Sequence, residues 1–88
     1  MSDEDLWEAA RARTREDVRQ IFARTPDAPQ RVIDNYRGLV TRAGYNAEQQ
    51  QRGGDQVLGG TRGESAYYLI VTPQGTGSDV SLIVNNGR

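Results

Sequence analysis

Two short runs near the C-terminus, Ala66 to Thr72 and Asp79 to Asn85, constrain this chain more than any other feature. Both are rich in β-branched and aromatic residues, and Pro73-Gln74-Gly75-Thr76-Gly77-Ser78 between them is turn chemistry, so they are expected to pair as an antiparallel hairpin. With Thr72 opposite Asp79, Val71 faces Val80, Leu69 faces Leu82 and Tyr67 faces Val84, which gathers six apolar side chains on one face. A slip of one residue would set Val71 against Ser81 and Leu69 against Ile83 and scatter that set. The hydrophobic pattern therefore selects a single register.

The other face of the same hairpin carries Tyr68, Ile70, Thr72, Asp79, Ser81, Ile83 and Asn85 and is only half polar. Tyr68, Ile70 and Ile83 make a second apolar cluster, which helices lying on the first face cannot reach. Neither run contains lysine, arginine or an internal proline, the devices that keep exposed strand edges from pairing. A lone two-stranded hairpin is marginal, so a strand from elsewhere in the chain, a second copy, or a strand of another protein is expected to complete it.

Upstream the pattern reads as helix. Ser2 before Asp3, Glu4 and Asp5 has the form of an N-cap with acids in the first turn. Leu6, Trp7, Ala10, Thr14, Val18, Ile21 and Phe22 then recur at three- and four-residue steps, which predicts one helix running to Thr25-Pro26. After a short turn that Thr25 or Asp27 can cap, Val32, Ile33, Tyr36, Leu39, Val40 and Ala43 share a second helical face, with Gly44 as its stop. Residues 45–65 hold Gln49-Gln50-Gln51 and five glycines around the island Val57-Leu58, and read as a connector with a short strand at Gln56 to Leu58 and room for a helical turn at Asn46 to Arg52. The expected fold is one α+β domain over residues 1–88 in the order ααβββ. An antiparallel helical hairpin (about 3–44) packs on a small antiparallel sheet of two or three strands, with the connector at 45–65 and the β-hairpin at 66–85.

Composition narrows the function. The chain has no lysine, histidine or cysteine, so all eleven basic side chains are arginine, a usage that fits a GC-rich genome. Without histidine no group has an ordinary pKa near neutrality, and without cysteine or lysine there is neither a thiolate nor a Schiff-base amine. Soft-metal sites lose their usual ligands, and no calcium-loop motif occurs, so no metal or cofactor is expected. Groups such as Glu48, Asp55, Glu64 and Tyr45 form no pair whose spacing sets a catalytic geometry, and no enzymatic activity is expected.

A net charge of -1 argues against a protein that coats a phosphate backbone. Two helices, a third helical turn and a hairpin would imitate a winged helix, but such a recognition helix would offer one arginine, Arg52, and the wing none. Arg52 and Arg62 flank the glycines and suggest a weak anion or nucleotide site, although the Gly-Lys-Ser/Thr ending of a phosphate loop is missing. The longest apolar run, Tyr67 to Val71, is too short for a bilayer, and the acidic start has the wrong sign for a signal peptide. These features suit a cytoplasmic protein.

The function expected from the sequence is a small interaction module of bacterial or phage origin, acting as an inhibitor, adaptor or accessory factor. It would bind a protein partner, or a second copy, through the face or edge of its sheet, with Tyr68, Ile70 and Ile83 in the contact. Trp7 and Arg11, one helical turn apart with Arg15 a turn further, are added because tryptophan and arginine dominate interface hot spots and can stack.

Overall fold

The computed structural model describes residues 3–11 and 18–85. Along the chain run α1 (Asp3–Arg11), β1 (Val18–Thr25), α2 (Pro29–Arg42), β2 (Glu48–Arg52), β3 (Asp55–Arg62), β4 (Ser65–Gln74) and β5 (Gly77–Asn85). The five strands form a single antiparallel sheet in the order β1-β5-β4-β3-β2. This corrects the expected ααβββ arrangement: there is no helical hairpin on a two- or three-stranded sheet, and a strand separates the two helices.

The hairpin β4–β5 has the register that its apolar pattern demands, with Tyr67 opposite Val84, Leu69 opposite Leu82, Val71 opposite Val80 and Thr72 opposite Asp79. The first correction lies at Val18–Thr25. Leu6, Trp7, Ala10, Ile21 and Phe22 fit a helical stripe, yet Val-Arg-Gln-Ile-Phe-Ala-Arg-Thr also alternates and is rich in strand-forming side chains. The bare edge of β5 decides between the two readings: β1 pairs with it over eight residues, from Val18 opposite Asn85 to Thr25 opposite Ser78. Helix α1 is described over Asp3–Arg11, with Leu6, Trp7 and Ala10 buried. Ser2, expected as its cap, and Thr14 and Arg15 lie outside the described residues.

The second correction concerns residues 45–65, which are a β-hairpin rather than a connector. Asn46 to Arg52 contains a strand in place of a helical turn, and the short strand expected at Gln56 to Leu58 extends to Asp55–Arg62. All three hairpins close with two-residue loops whose first member is a glycine at positive φ, Gly53, Gly63 and Gly75, where a II′ turn requires it. Gly60 answers a different need. The chain entering β2 crosses it so closely that a Cβ there would overlap the Asn46 carbonyl, and Asn46 is held by its amide on Thr61 O (3.2 Å) and by its side chain on Thr61 N (3.0 Å).

Helix α2 begins at Pro29 behind Ala28, which offers no side-chain cap, so neither Thr25 nor Asp27 plays that part. Thr25 Oγ1 instead accepts from the Asp27 amide, and buried Ser78 donates to the Asp27 carbonyl at 2.8 Å, tying the turn after β1 to β5. At the other end Gly44 takes the left-handed conformation expected of a helix stop. Arg62 Nη1 donates to Ala43 O at 2.7 Å while its guanidinium lies over the Tyr45 ring, 4.9 Å from the centroid.

Both helices cover one face of the sheet. The core joins Trp7 and Ala10 of α1 and Val32, Ile33, Tyr36 and Val40 of α2 to Leu58, Tyr67, Leu69, Val71, Val80, Leu82 and Val84 on the strands. Trp7, Tyr45 and Tyr67 meet edge to face in a closed triad with centroids 5.5 to 5.7 Å apart, contacts worth about 0.5–1.5 kcal/mol each beyond their burial. No helix among the described residues is long and apolar enough to cross a membrane.

Candidate functional site

Alternation along each strand sends one set of side chains to the helices and the other to the opposite face, called here the outer face. Cross-strand register sorts the outer set into rows. Phe22, Ser81, Ile70, Val57 and Gln50 make one row from β1 to β2, and Gln20, Ile83, Tyr68, Gly59 and Glu48 make the next. A third row, toward the β4–β5 turn, carries Arg24, Asp79 and Thr72, with Asp55 and Arg52 paired beyond them.

The two central rows are mostly apolar. Phe22 is 73% exposed and is the one exposed large apolar side chain among the described residues; Tyr68, Ile70 and Ile83 are half-buried. No described element lies over them, since both helices pack on the other side. On the far side of β4 from Phe22 the same face dips into an open hollow of about 360 Å³ centred on β3, lined on this face by Glu48, Gln50, Val57, Gly59, Thr61, Ala66 and Tyr68. The hollow exists because Gly59 has no side chain and Val57, 4% exposed, sits low beneath its neighbours.

Polar groups frame this surface and largely satisfy one another. Arg24 Nε donates to Asp79 Oδ1 at 2.8 Å, and that hydrogen bond, with the carboxylate charge behind it, raises the arginine's pKa further. Gln20 donates to Ser81 Oγ at 3.3 Å, and Arg52 Nη1 to the Tyr68 hydroxyl at 3.1 Å.

Of the residues singled out from sequence, Tyr68, Ile70 and Ile83 come together on the outer face, with Tyr68 and Ile83 directly opposed. Trp7 does not join them: it is 1% exposed, inside the core on the helix side. Arg11 stands beside it, 5.4 Å from the indole centroid and 3.8 Å from Glu8, also on the helix side. Arg52 and Arg62 alternate onto opposite faces, one holding Tyr68 and the other the end of α2, and so do not converge on a common ligand. The hairpin's own margins are both taken, by β1 and β3, leaving β1 and β2 as the edges of the sheet.

Phe22 was missed as a surface residue because its spacing suits a helical stripe. The available signal was the alternation of Ile21, Ala23 and Thr25 with Gln20, Phe22 and Arg24, read together with the need for a strand beside β5.

Burial shifts the titration of two tyrosines. Burial, then the nearby Asp3 carboxylate, pushes the Tyr36 phenol well above its ordinary value, and its hydroxyl has no hydrogen-bond partner among the described residues. Burial also pushes Tyr67 up to about 12, against a smaller opposing pull from Arg37, and its hydroxyl donates to Asn46 O at 2.8 Å. No group of three acidic side chains placed to hold a metal ion occurs among the described residues. No protein-family model, curated protein or solved structure matches the chain.

Proposed function

We propose that this chain is a small non-enzymatic interaction module, working in the cytoplasm, that binds protein through the outer face of its sheet. The observation that carries the reading is the apolar surface of Phe22, Ile70, Ile83 and Tyr68, which no described element covers, edged by the Arg24–Asp79 ion pair and by Arg52 on the Tyr68 hydroxyl. Phe22 costs solubility and serves no internal packing where it stands. A partner that covers it gains roughly 25 cal/mol for each Å² of apolar surface removed from water. Aromatic anchors inside a polar rim are the composition of interface hot spots.

Strand addition to the β4–β5 hairpin is not part of this proposal, because both margins of that hairpin are paired. The winged-helix alternative loses support with its recognition element, since Asn46 to Arg52 carries strand β2. The anion-site alternative loses support with the separation of Arg52 and Arg62.

The test is co-purification from cells that naturally express the chain, comparing the wild type with Ile83→Asp. The expected result is loss of the captured protein by a variant whose circular dichroism matches that of the wild type. Unchanged capture, or a variant that unfolds because Ile83 belongs to the core, refutes the reading.

A further inference from the structure

We infer that the free edge of β2 is the joint of a homodimer, in which two copies pair strand to strand, antiparallel, about a two-fold axis that passes Gln50 perpendicular to the sheet. This goes beyond the outer-face reading and does not depend on it. No strand lies beyond β2 among the described residues, and all five of its side chains are exposed. An edge strand presents a row of backbone groups that can pair with another strand. The ladder on its inner side fixes which groups these are. The Asn46 amide donates to Thr61 O, and Arg52 faces Asp55 across the two-residue turn, so Asn46, Glu48, Gln50 and Arg52 direct their backbone groups toward β3. The N–H and C=O groups of Gln49 and Gln51 therefore point away from the sheet.

Charge identifies the partner. Glu48-Gln49-Gln50-Gln51-Arg52 complements itself when reversed. With Gln50 opposite the other copy's Gln50, Gln49 lies opposite Gln51, where the outward backbone groups meet, and Glu48 lies opposite Arg52 at both ends of the joint. Moving the two-fold to Gln49 or to Gln51 keeps the backbone groups in step but sets Gln50 opposite Glu48 or opposite Arg52, and no opposite charges face each other. Opposite charges across an antiparallel pair stabilise it and like charges oppose it, so one register is selected. Glu48 has no hydrogen bond or ion pair among the described residues, and Arg52 donates to the Tyr68 hydroxyl through Nη1 alone, which leaves both able to make the contact. The other edge has no such match: β1 carries Arg19 and Arg24 and no acid, so no register of β1 against itself sets opposite charges face to face. A β1-to-β2 contact would be heterologous and build an open chain. Helix α2 rests on β3, β4 and β5 rather than on β2, so across the joint its counterpart stands three or more strand spacings away. That is about 14 Å, wider than the roughly 10–12 Å of a helix with its side chains. The seam is only about 17 Å long, shorter than a standard interface, which makes the dimer weak and concentration-dependent. Both outer faces stay open on the same side of one continuous sheet.

Sedimentation equilibrium from micromolar to millimolar protein should show the 9.8 kDa chain passing to twice its mass. Glu48→Arg and Arg52→Glu each set like charges opposite one another, and each should raise the dissociation constant about tenfold or more. Both side chains are exposed, so the variants keep the fold. An equimolar mixture of the two restores opposite charges at both ends of the joint and should associate as the wild type does, a rescue that neither misfolding nor a contact elsewhere would give. The chain has no cysteine, so single cysteines report only the designed contact. Gln50→Cys faces itself at about 4.5 Å between Cα atoms, within reach of a disulfide, and should bridge about tenfold faster than Gln51→Cys, which faces Gln49. A monomer at every concentration, masses beyond two copies, a dimer indifferent to both reversals, a mixture no better than its components, or Gln51→Cys bridging as fast as Gln50→Cys would overturn the inference. Capture of a cellular protein and its loss in Ile83→Asp are read separately from mass, so the failure of one reading leaves the other standing.

Discussion

Removing one oxygen atom from Tyr36 should make this protein more stable. Tyr36 is fully buried against the sheet, and its hydroxyl has no hydrogen-bond partner among the described residues. A buried hydroxyl without a partner costs about 1–3 kcal/mol of lost hydration. Tyr36→Phe keeps the ring and its packing, so the expected gain is about 1 kcal/mol, or a rise in Tm of roughly 4–8 °C for a domain of this size. Tyr67→Phe is the control, since the same atom there donates to Asn46 O at 2.8 Å. Its loss should cost about 1 kcal/mol and lower Tm. Alkaline titration gives a second readout. An unfolded tyrosine ionises near 10.0, whereas folded Tyr36 holds its proton to higher pH, so its contribution to stability is complete below pH 10 and falls as pH rises beyond it. Tyr36→Phe should therefore flatten the loss of stability above pH 10, leaving the Tyr67 share, which ends near pH 12. The assay is urea unfolding followed by circular dichroism at neutral pH and again above pH 10. A Tyr36→Phe protein that is less stable at neutral pH would show that the hydroxyl has a partner, and the reasoning would fail.

Two further substitutions probe the supports of the sheet. Arg62→Met should cost about 1–2 kcal/mol by removing the cap on Ala43 O and the cation over Tyr45, and thermal unfolding would detect it; an unchanged Tm would mean that the clamp is idle. Gly60→Ala should be far worse than Gly54→Ala, because a Cβ at Gly60 meets the Asn46 backbone and one at Gly54 meets nothing; similar Tm values for the two would contradict the crossing of the chain at Gly60.

The surface that supports the proposed function was only partly visible in the sequence. Tyr68, Ile70 and Ile83 could be placed on one face because alternation over Ala66 to Thr72 and Asp79 to Asn85 leaves a single register that gathers the apolar set. Phe22 could not, because Ile21-Phe22 serves a helical stripe and a strand equally well. Trp7 was legible as apolar but not as interior, since only the meeting of Tyr45 and Tyr67 around it closes the triad that hides it.

Helix α2, the β4–β5 register and the Gly75 turn that closes that hairpin were settled by the chain's own pattern, because each depends on side chains a few residues apart or on a backbone angle that glycine alone adopts easily. Tertiary structure decided the rest. Val18–Thr25 is a strand because β5, some sixty residues away, has an edge whose hydrogen bonds must be met. Glu48–Arg52, with no apolar side chain at all, is a strand because β3 offers it a ladder. Local propensity carries no record of an unpaired edge elsewhere in the molecule, and completing those edges turned an expected helical hairpin on a ribbon into a five-stranded sheet with one face that no described element covers.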